Sequence, residues 1–139
     1  MEYITKSKDE TENIAKEIAL SAKRGDLFAL SGDLGSGKTT FTKGFARGLG
    51  VEEEITSPTF VIFKQYRAKA PINNFVHVDC YRLESSADAE SVGLLEIIEQ
   101  KNSIVLIEWP EKIMEAIPKE AKLLNFEYID ENTRRITIE

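Results

Sequence analysis

At 139 residues and a net charge of −6, the chain is long enough for one buried core and too acidic to grip nucleic acid by its own electrostatics. Hydrophobic content of 42% and charged content of 30% are those of an ordinary globular protein, and the single cysteine, Cys80, excludes an internal disulfide. Met1–Lys8 is polar and charged and no apolar run approaches membrane-spanning length. One cytoplasmic domain over residues 1–139, without a membrane partner, is expected.

In chain order, Tyr3–Thr5 is β-prone and short enough for an edge strand. Ser7-Lys8-Asp9-Glu10 reads as a capping box, in which Ser7 and Glu10 each satisfy a helix-start N–H. Ile14 and Ile18, with Ala15, Ala19 and Ala22, form one apolar stripe, and Gly25 is the natural stop, so a helix over Asp9–Arg24 is predicted.

Leu27–Leu30 is a fully apolar strand of the kind buried in a parallel sheet. It feeds Gly32-Asp33-Leu34-Gly35-Ser36-Gly37-Lys38-Thr39, which matches G-x-x-x-x-G-K-[ST]. The glycines allow a tight turn that aims backbone N–H groups at anionic oxygens, and the helix that follows adds the positive end of its dipole. Chance produces this pattern in roughly half a percent of chains of this length. The strand before it and the helix after it are the context a phosphate loop requires. Lys38 is then the residue for the β- and γ-phosphates and the Thr39 hydroxyl a ligand for Mg²⁺. Phe41, Phe45 and Leu49 recur at helical spacing and are expected to face the sheet, with Gly50 ending the helix.

Thr56–Phe60 precedes a β-rich run, Val61–Tyr66. A polar loop, Arg67–Asn74, then leads to a second run, Phe75–Tyr81, and a connection this short predicts an antiparallel hairpin. Alternation puts His77, Asp79 and Tyr81 on one face and Val76, Val78 and Cys80 on the other. Asp88–Glu99 carries a helical pattern weakened at Gly93. Ser103–Ile107 is the second strongly apolar strand, and Glu108-Trp109-Pro110 follows it. An acid at the C-terminal end of such a strand has the form of a Walker B element, which contacts Mg²⁺ directly or through water. Ile113–Ile117 reads as a short helical turn, and Leu123–Ile129 and Arg135–Ile138 as a second hairpin about Asp130–Thr133.

Four stretches taken together, Gly32–Thr40, Ser57–Phe60, His77–Leu83 and Ile107–Glu111, resemble the TsaE family, small bacterial P-loop ATPases of tRNA threonylcarbamoyladenosine biosynthesis. The resemblance spans nearly the whole chain. It implies an α/β fold, a single P-loop NTPase domain with a mainly parallel central sheet, flanking helices and added antiparallel hairpins. It also implies binding of ATP and Mg²⁺, slow intrinsic hydrolysis, and service to the complex that modifies adenosine 37 of tRNA. The protein partners would be the transferase and its scaffold paralogue, with tRNA met only indirectly. In this reading Gly35, Ser36, Gly37, Lys38, Thr39 and Thr40 hold the phosphates, and Thr39 and Glu108 hold Mg²⁺. Lys38, Asp79 and Glu108 are catalytic, with Asp79 orienting the attacking water. The resemblance adds nucleotide contacts at Thr11 and Arg134, a γ-phosphate-sensing switch at Ser57–Phe60, and Trp109 as part of a nucleotide or partner surface. Arg82 is the best internal candidate for an arginine finger.

Neither the Asp-x-x-Gly nor the Asn-Lys-x-Asp of a small GTPase occurs, and the scattered arginines do not make a kinase lid. The alternatives are an ATP-gated binding module whose hydrolysis is incidental, or another small P-loop NTPase or kinase.

Overall fold

The computed structural model describes residues 1–56, 62–91 and 93–139. In chain order the elements are β1 (Glu2–Thr5), α1 (Lys8–Leu20), β2 (Leu27–Ser31), α2 (Lys38–Gly48), β3 (Phe63–Arg67) and β4 (Asn74–Asp79). They continue with α3 (Ser86–Ser91), α4 (Leu94–Gln100), β5 (Ile104–Glu108), a 3₁₀ segment (Pro110–Ala116), β6 (Lys122–Tyr128) and β7 (Arg134–Ile138). The strands form one sheet in the order β1-β7-β6-β2-β5-β4-β3. Its four central strands, β6, β2, β5 and β4, are mutually parallel. Antiparallel partners extend it at both sides: β3 on β4, and β7 then β1 beyond β6.

The predicted architecture is the observed one. Strands buried on both faces read as apolar runs, and β2 and β5 are apolar up to their last residues, Ser31 and Glu108. Phe28, Leu30, Phe75 and Leu106 meet Ala15, Phe41 and Phe45 of α1 and α2 on one face of the sheet. Ala29, Val76, Val78 and Ile107 meet Leu94, Ile98 and Ile113 on the other. Both predicted hairpins form, and β1 takes the predicted edge.

Four boundaries differ from expectation. Helix α1 stops at Leu20, capped by Ser21 rather than at Gly25; the Asp26 carboxylate instead receives the Lys23 N–H in a separate turn before β2. The stripe also rotates. Thr11, Ala15 and Ala19 are its buried line, and Ile14 and Ile18 flank it half-buried. The helix expected over Asp88–Glu99 divides into α3 and α4 because Gly93 adopts φ +79°, a left-handed conformation that no continuous right-handed helix contains. The turn predicted over Ile113–Ile117 begins earlier, at Pro110, and is kinked at Ile113. Finally β4 ends at Asp79, so Tyr81 lies beyond the strand and is exposed. The Ser57–Phe60 switch expectation lies outside the described residues.

The rotation of α1 has a steric cause. A Cβ on Gly44 of α2 would stand 2.5 Å from the Glu12 carbonyl oxygen, and one on Gly48 2.7 Å from the Ala19 Cβ. The two helices are packed backbone to backbone, which requires small residues on the touching faces. Gly44→Ala has no room to relax. It is expected to lower stability by about 2 kcal/mol, as overpacked sites do, against the gain in helix propensity. Urea unfolding of the variant measures this, and unchanged stability would mean that the helices can separate freely.

Candidate functional site

A parallel sheet ends all its strands on the same side, so their C-terminal turns converge. Here that side carries a cavity of about 700 Å³, within the range that ligand-binding clefts occupy. Its walls include Gly35, Gly37, Lys38, Thr39 and Thr40 from the loop and α2, Asp79 from β4, and Glu108 and Trp109 after β5. Thr11 of α1 and Arg134 of β7 line it too, as does Arg82. Among the described residues, the predicted phosphate, metal, catalytic and nucleotide contacts other than Ser36 therefore line one cavity. Ser36 lies buried behind the loop, its hydroxyl against Gly32 and without a hydrogen-bond partner among the described residues.

The loop is built around close approaches. Gly32 has φ +149°, and a Cβ there would sit 2.6 Å from the Phe126 carbonyl oxygen. Only glycine fits, and its position fixes where the chain leaves β2. At the other end Gly37 caps α2 with no side-chain acceptor, so the first N–H groups of that helix receive no side-chain cap. Such a helix start, next to a cavity, favours an anion. Arg134 braces the loop from outside: its Nε donates to Gly35 O at 3.0 Å and its Nη1 to Asp130 O at 2.6 Å, and its guanidinium stands over the Tyr128 ring. One side chain thus ties the phosphate loop to the β6–β7 turn.

Lys38 is buried, and its Nζ donates to Gly32 O while standing 3.3 Å from the centroid of the Trp109 ring. Burial pulls its pKa below the usual lysine value, opposed by the charges of Glu108, Glu111, Asp79 and Asp33. Trp109 reaches this position from a left-handed backbone (φ +59°, ψ +51°), a conformation costing on the order of 1–2 kcal/mol for a non-glycine residue. Pro110 follows it, and Tyr81 packs edge-on against the indole at 5.0 Å. Trp109 is thus half-buried, packed against the second core on one side and forming a wall of the cavity on the other.

Glu108 is paired in register with Leu30 on one side and Asp79 on the other. Its side chain is almost fully buried, and His77 Nε2 lies 2.6 Å from its Oε2. Thr42 Oγ1, one turn after Lys38 on α2, is 3.4 Å from the same oxygen. Asp79 Oδ1 accepts the Tyr81 N–H at 2.9 Å, which turns the chain at the strand end. Sequence reasoning grouped His77 with Asp79 by alternation but found neither its tie to Glu108 nor Thr42. The i, i+4 spacing from Lys38 was the available signal for Thr42, since it puts both on one helix face.

The donors around the cavity are oxygens: the Thr39 hydroxyl and the carboxylates of Asp79 and Glu108. Hard oxygen donors suit Mg²⁺. No group of three His, Cys, Asp or Glu that could hold a metal occurs among the described residues. A cation here would share its shell with water and phosphate oxygens, the usual way of holding Mg²⁺.

A parallel core, a glycine loop between the first core strand and its helix, and an acid ending the adjacent strand define a mixed α/β protein with a mainly parallel central sheet and flanking helices. The family model described as "Threonylcarbamoyl adenosine biosynthesis protein TsaE" matches residues 5–136. The chain belongs to the TsaE family. It is 40% identical over 137 residues to the tRNA threonylcarbamoyladenosine biosynthesis protein TsaE of Bacillus subtilis, an alignment covering 99% of this chain and 84% of that protein. The protein of the same description from Borreliella burgdorferi is 42% identical over 116 residues, covering 83% and 82%. The crystal structure of Bacillus subtilis YdiB superposes with a TM-score of 0.73 at 37% identity, covering 99% of this chain and 83% of that one.

Cys80 sits next to Asp79 but faces the other core. Burial, with a smaller contribution from the Asp79 charge, pushes its thiol up to about 12. At pH 8 such a thiol is ionised in roughly one molecule in ten thousand, so native protein is expected to resist thiol reagents and unfolded protein to react at once. Thiol titration with and without denaturant checks this; rapid labelling of the folded chain would contradict the burial.

Proposed function

We propose that the protein is a Mg²⁺-dependent ATPase that supports threonylcarbamoylation of adenosine 37 in tRNA, acting through the protein partners of the threonylcarbamoyl transferase complex. The observation that carries the proposal is the meeting of Lys38, Thr39, Asp79 and Glu108 around one cavity at the C-terminal side of parallel strands. Lys38 neutralises the β- and γ-phosphates, and the Thr39 hydroxyl and Glu108 ligate the cation. Held by these residues, Mg²⁺ would supply positive charge to the phosphate oxygens. Asp79 accepts a hydrogen bond from the attacking water and orients it. Thr11 and Arg134, which line the same cavity, contact the nucleotide. The nucleotide is ATP because the guanine-reading Asn-Lys-x-Asp is missing from the chain. Docking on protein partners, with tRNA met only indirectly, suits a chain of net charge −6.

Lys38→Ala and Glu108→Ala are each expected to reduce ATP turnover by about 10² or more, since each removes a charge aimed at the transferring group. Circular dichroism establishes that the fold survives. Normal turnover in either variant, or GTP hydrolysed as well as ATP, would overturn the site assignment.

The cellular role is tested separately. Cells depleted of the protein are expected to lose threonylcarbamoyladenosine from tRNAs that read codons beginning with A, measured by mass spectrometry of nucleosides. Unchanged modification would refute the role and leave the ATPase reading intact.

A further inference from the structure

The fold treats the two oxygens of Glu108 differently. Oε2 is engaged by His77 Nε2 at 2.6 Å, while the residue still lines the cavity. Among the described residues the only other group at Oε2 is the Thr42 hydroxyl, whose single hydrogen is better placed on Lys38 O, at 2.9 Å against 3.4 Å. His77 is therefore the donor that holds Oε2. Parallel register makes the pair possible: His77 stands opposite Leu106, and Glu108 follows two residues on, on the same face.

His77 is 1% exposed, and its other ring nitrogen, Nδ1, has no hydrogen-bond partner among the described residues. An imidazole kept for stability alone would be a poor choice in this position. It leaves one polar atom unsatisfied and buries an ionisable pair where apolar side chains of similar volume pack at least as well. The one hydrogen bond it makes is the one that decides where Glu108 points.

We infer that His77 is a positioning residue: by locking Oε2 it fixes the Glu108 carboxylate in one rotamer and presents Oε1 alone to the cation shell. This rests on the assignment of Glu108 to Mg²⁺. A carboxylate held by one oxygen offers a single, directed ligand, which a small octahedral cation accepts and a larger, more flexibly coordinated one such as Ca²⁺ exploits less well.

The test is binding, not turnover. Calorimetry measures the affinity of a non-hydrolysable ATP analogue in Mg²⁺ and in EDTA for the wild-type chain, His77→Leu and His77→Gln. His77→Leu is expected to lose roughly 10- to 100-fold in Mg²⁺ while keeping its EDTA affinity within about threefold, the pattern of a disturbed outer partner of a metal ligand. His77→Gln, whose amide can donate from near the Nε2 position, is expected to recover most of the loss. Should the leucine variant fail to fold, His77→Phe, closer in shape, replaces it. Three results overturn the inference: wild-type Mg²⁺ dependence in the apolar variant, equal losses in Mg²⁺ and EDTA, or no recovery with glutamine. A wild-type chain that binds equally well in Mg²⁺ and EDTA would instead remove the cation from Glu108, and the inference with it.

Discussion

The site depends on the parallel pairing of β5 between β2 and β4. The pairing aligns Leu30, Glu108 and Asp79 across three strands. The last residue of each strand then turns out on the same side, and three chemically different turns share one cavity. After β2 comes the phosphate loop, after β4 the Asp79 turn, and after β5 the Trp109 wall. Cys80 N donates to Glu108 O at 3.0 Å, which ties two of these exits together before either reaches the cavity. Slipping any strand by one residue would send its terminal side chain to the opposite face. A slip of β5 would turn Glu108 into the apolar core of Val76, Val78 and Leu94, and the cost of burying a charge there sets its registration.

Burying Glu108 makes the rest of the arrangement necessary. A carboxylate this deep must be met by hydrogen bonds or positive charge, and stripping one partner from such a pair costs about 3–5 kcal/mol in typical cases. His77 supplies the hydrogen bond and Lys38 the charge, although Lys38 has already spread its ammonium between the Gly32 carbonyl and the Trp109 ring. The cavity lining balances accordingly. Lys8, Lys38, Arg82 and Arg134 face Asp79, Glu108 and Glu131, a slightly cationic recess in a chain of net charge −6. Overall charge excluded a nucleic-acid grip, and local charge leaves room for a polyanion escorted by a cation.

What the sequence made legible follows from how local each signal is. The strand–loop–helix from Leu27 to Leu49 was readable because periodicity and glycine spacing act within a few residues of each other. Glu108 was readable as an acid at the end of an apolar run. The hairpins were readable from loop length. The His77–Glu108 contact was not, because it joins positions thirty-one residues apart and exists only in one register of two strands separated by two helices. The buried line of α1 was not legible for a related reason: it is set by Gly44 and Gly48 of another helix, not by the larger isoleucines on its own surface. Gly93 was seen as a weak point, but propensity alone does not distinguish a tolerated glycine from a left-handed break.

Trp109 joins these threads. Its backbone is strained, and strain persists only where surrounding contacts over-determine it. Those contacts include Pro110 in the chain, Tyr81 at the ring edge, the Lys38 ammonium on the ring face and the second core beneath the indole. The indole, the lysine and the acid are therefore adjoining parts of one wall, held by the backbone that joins Glu108 to Trp109 and by the ammonium that faces both side chains.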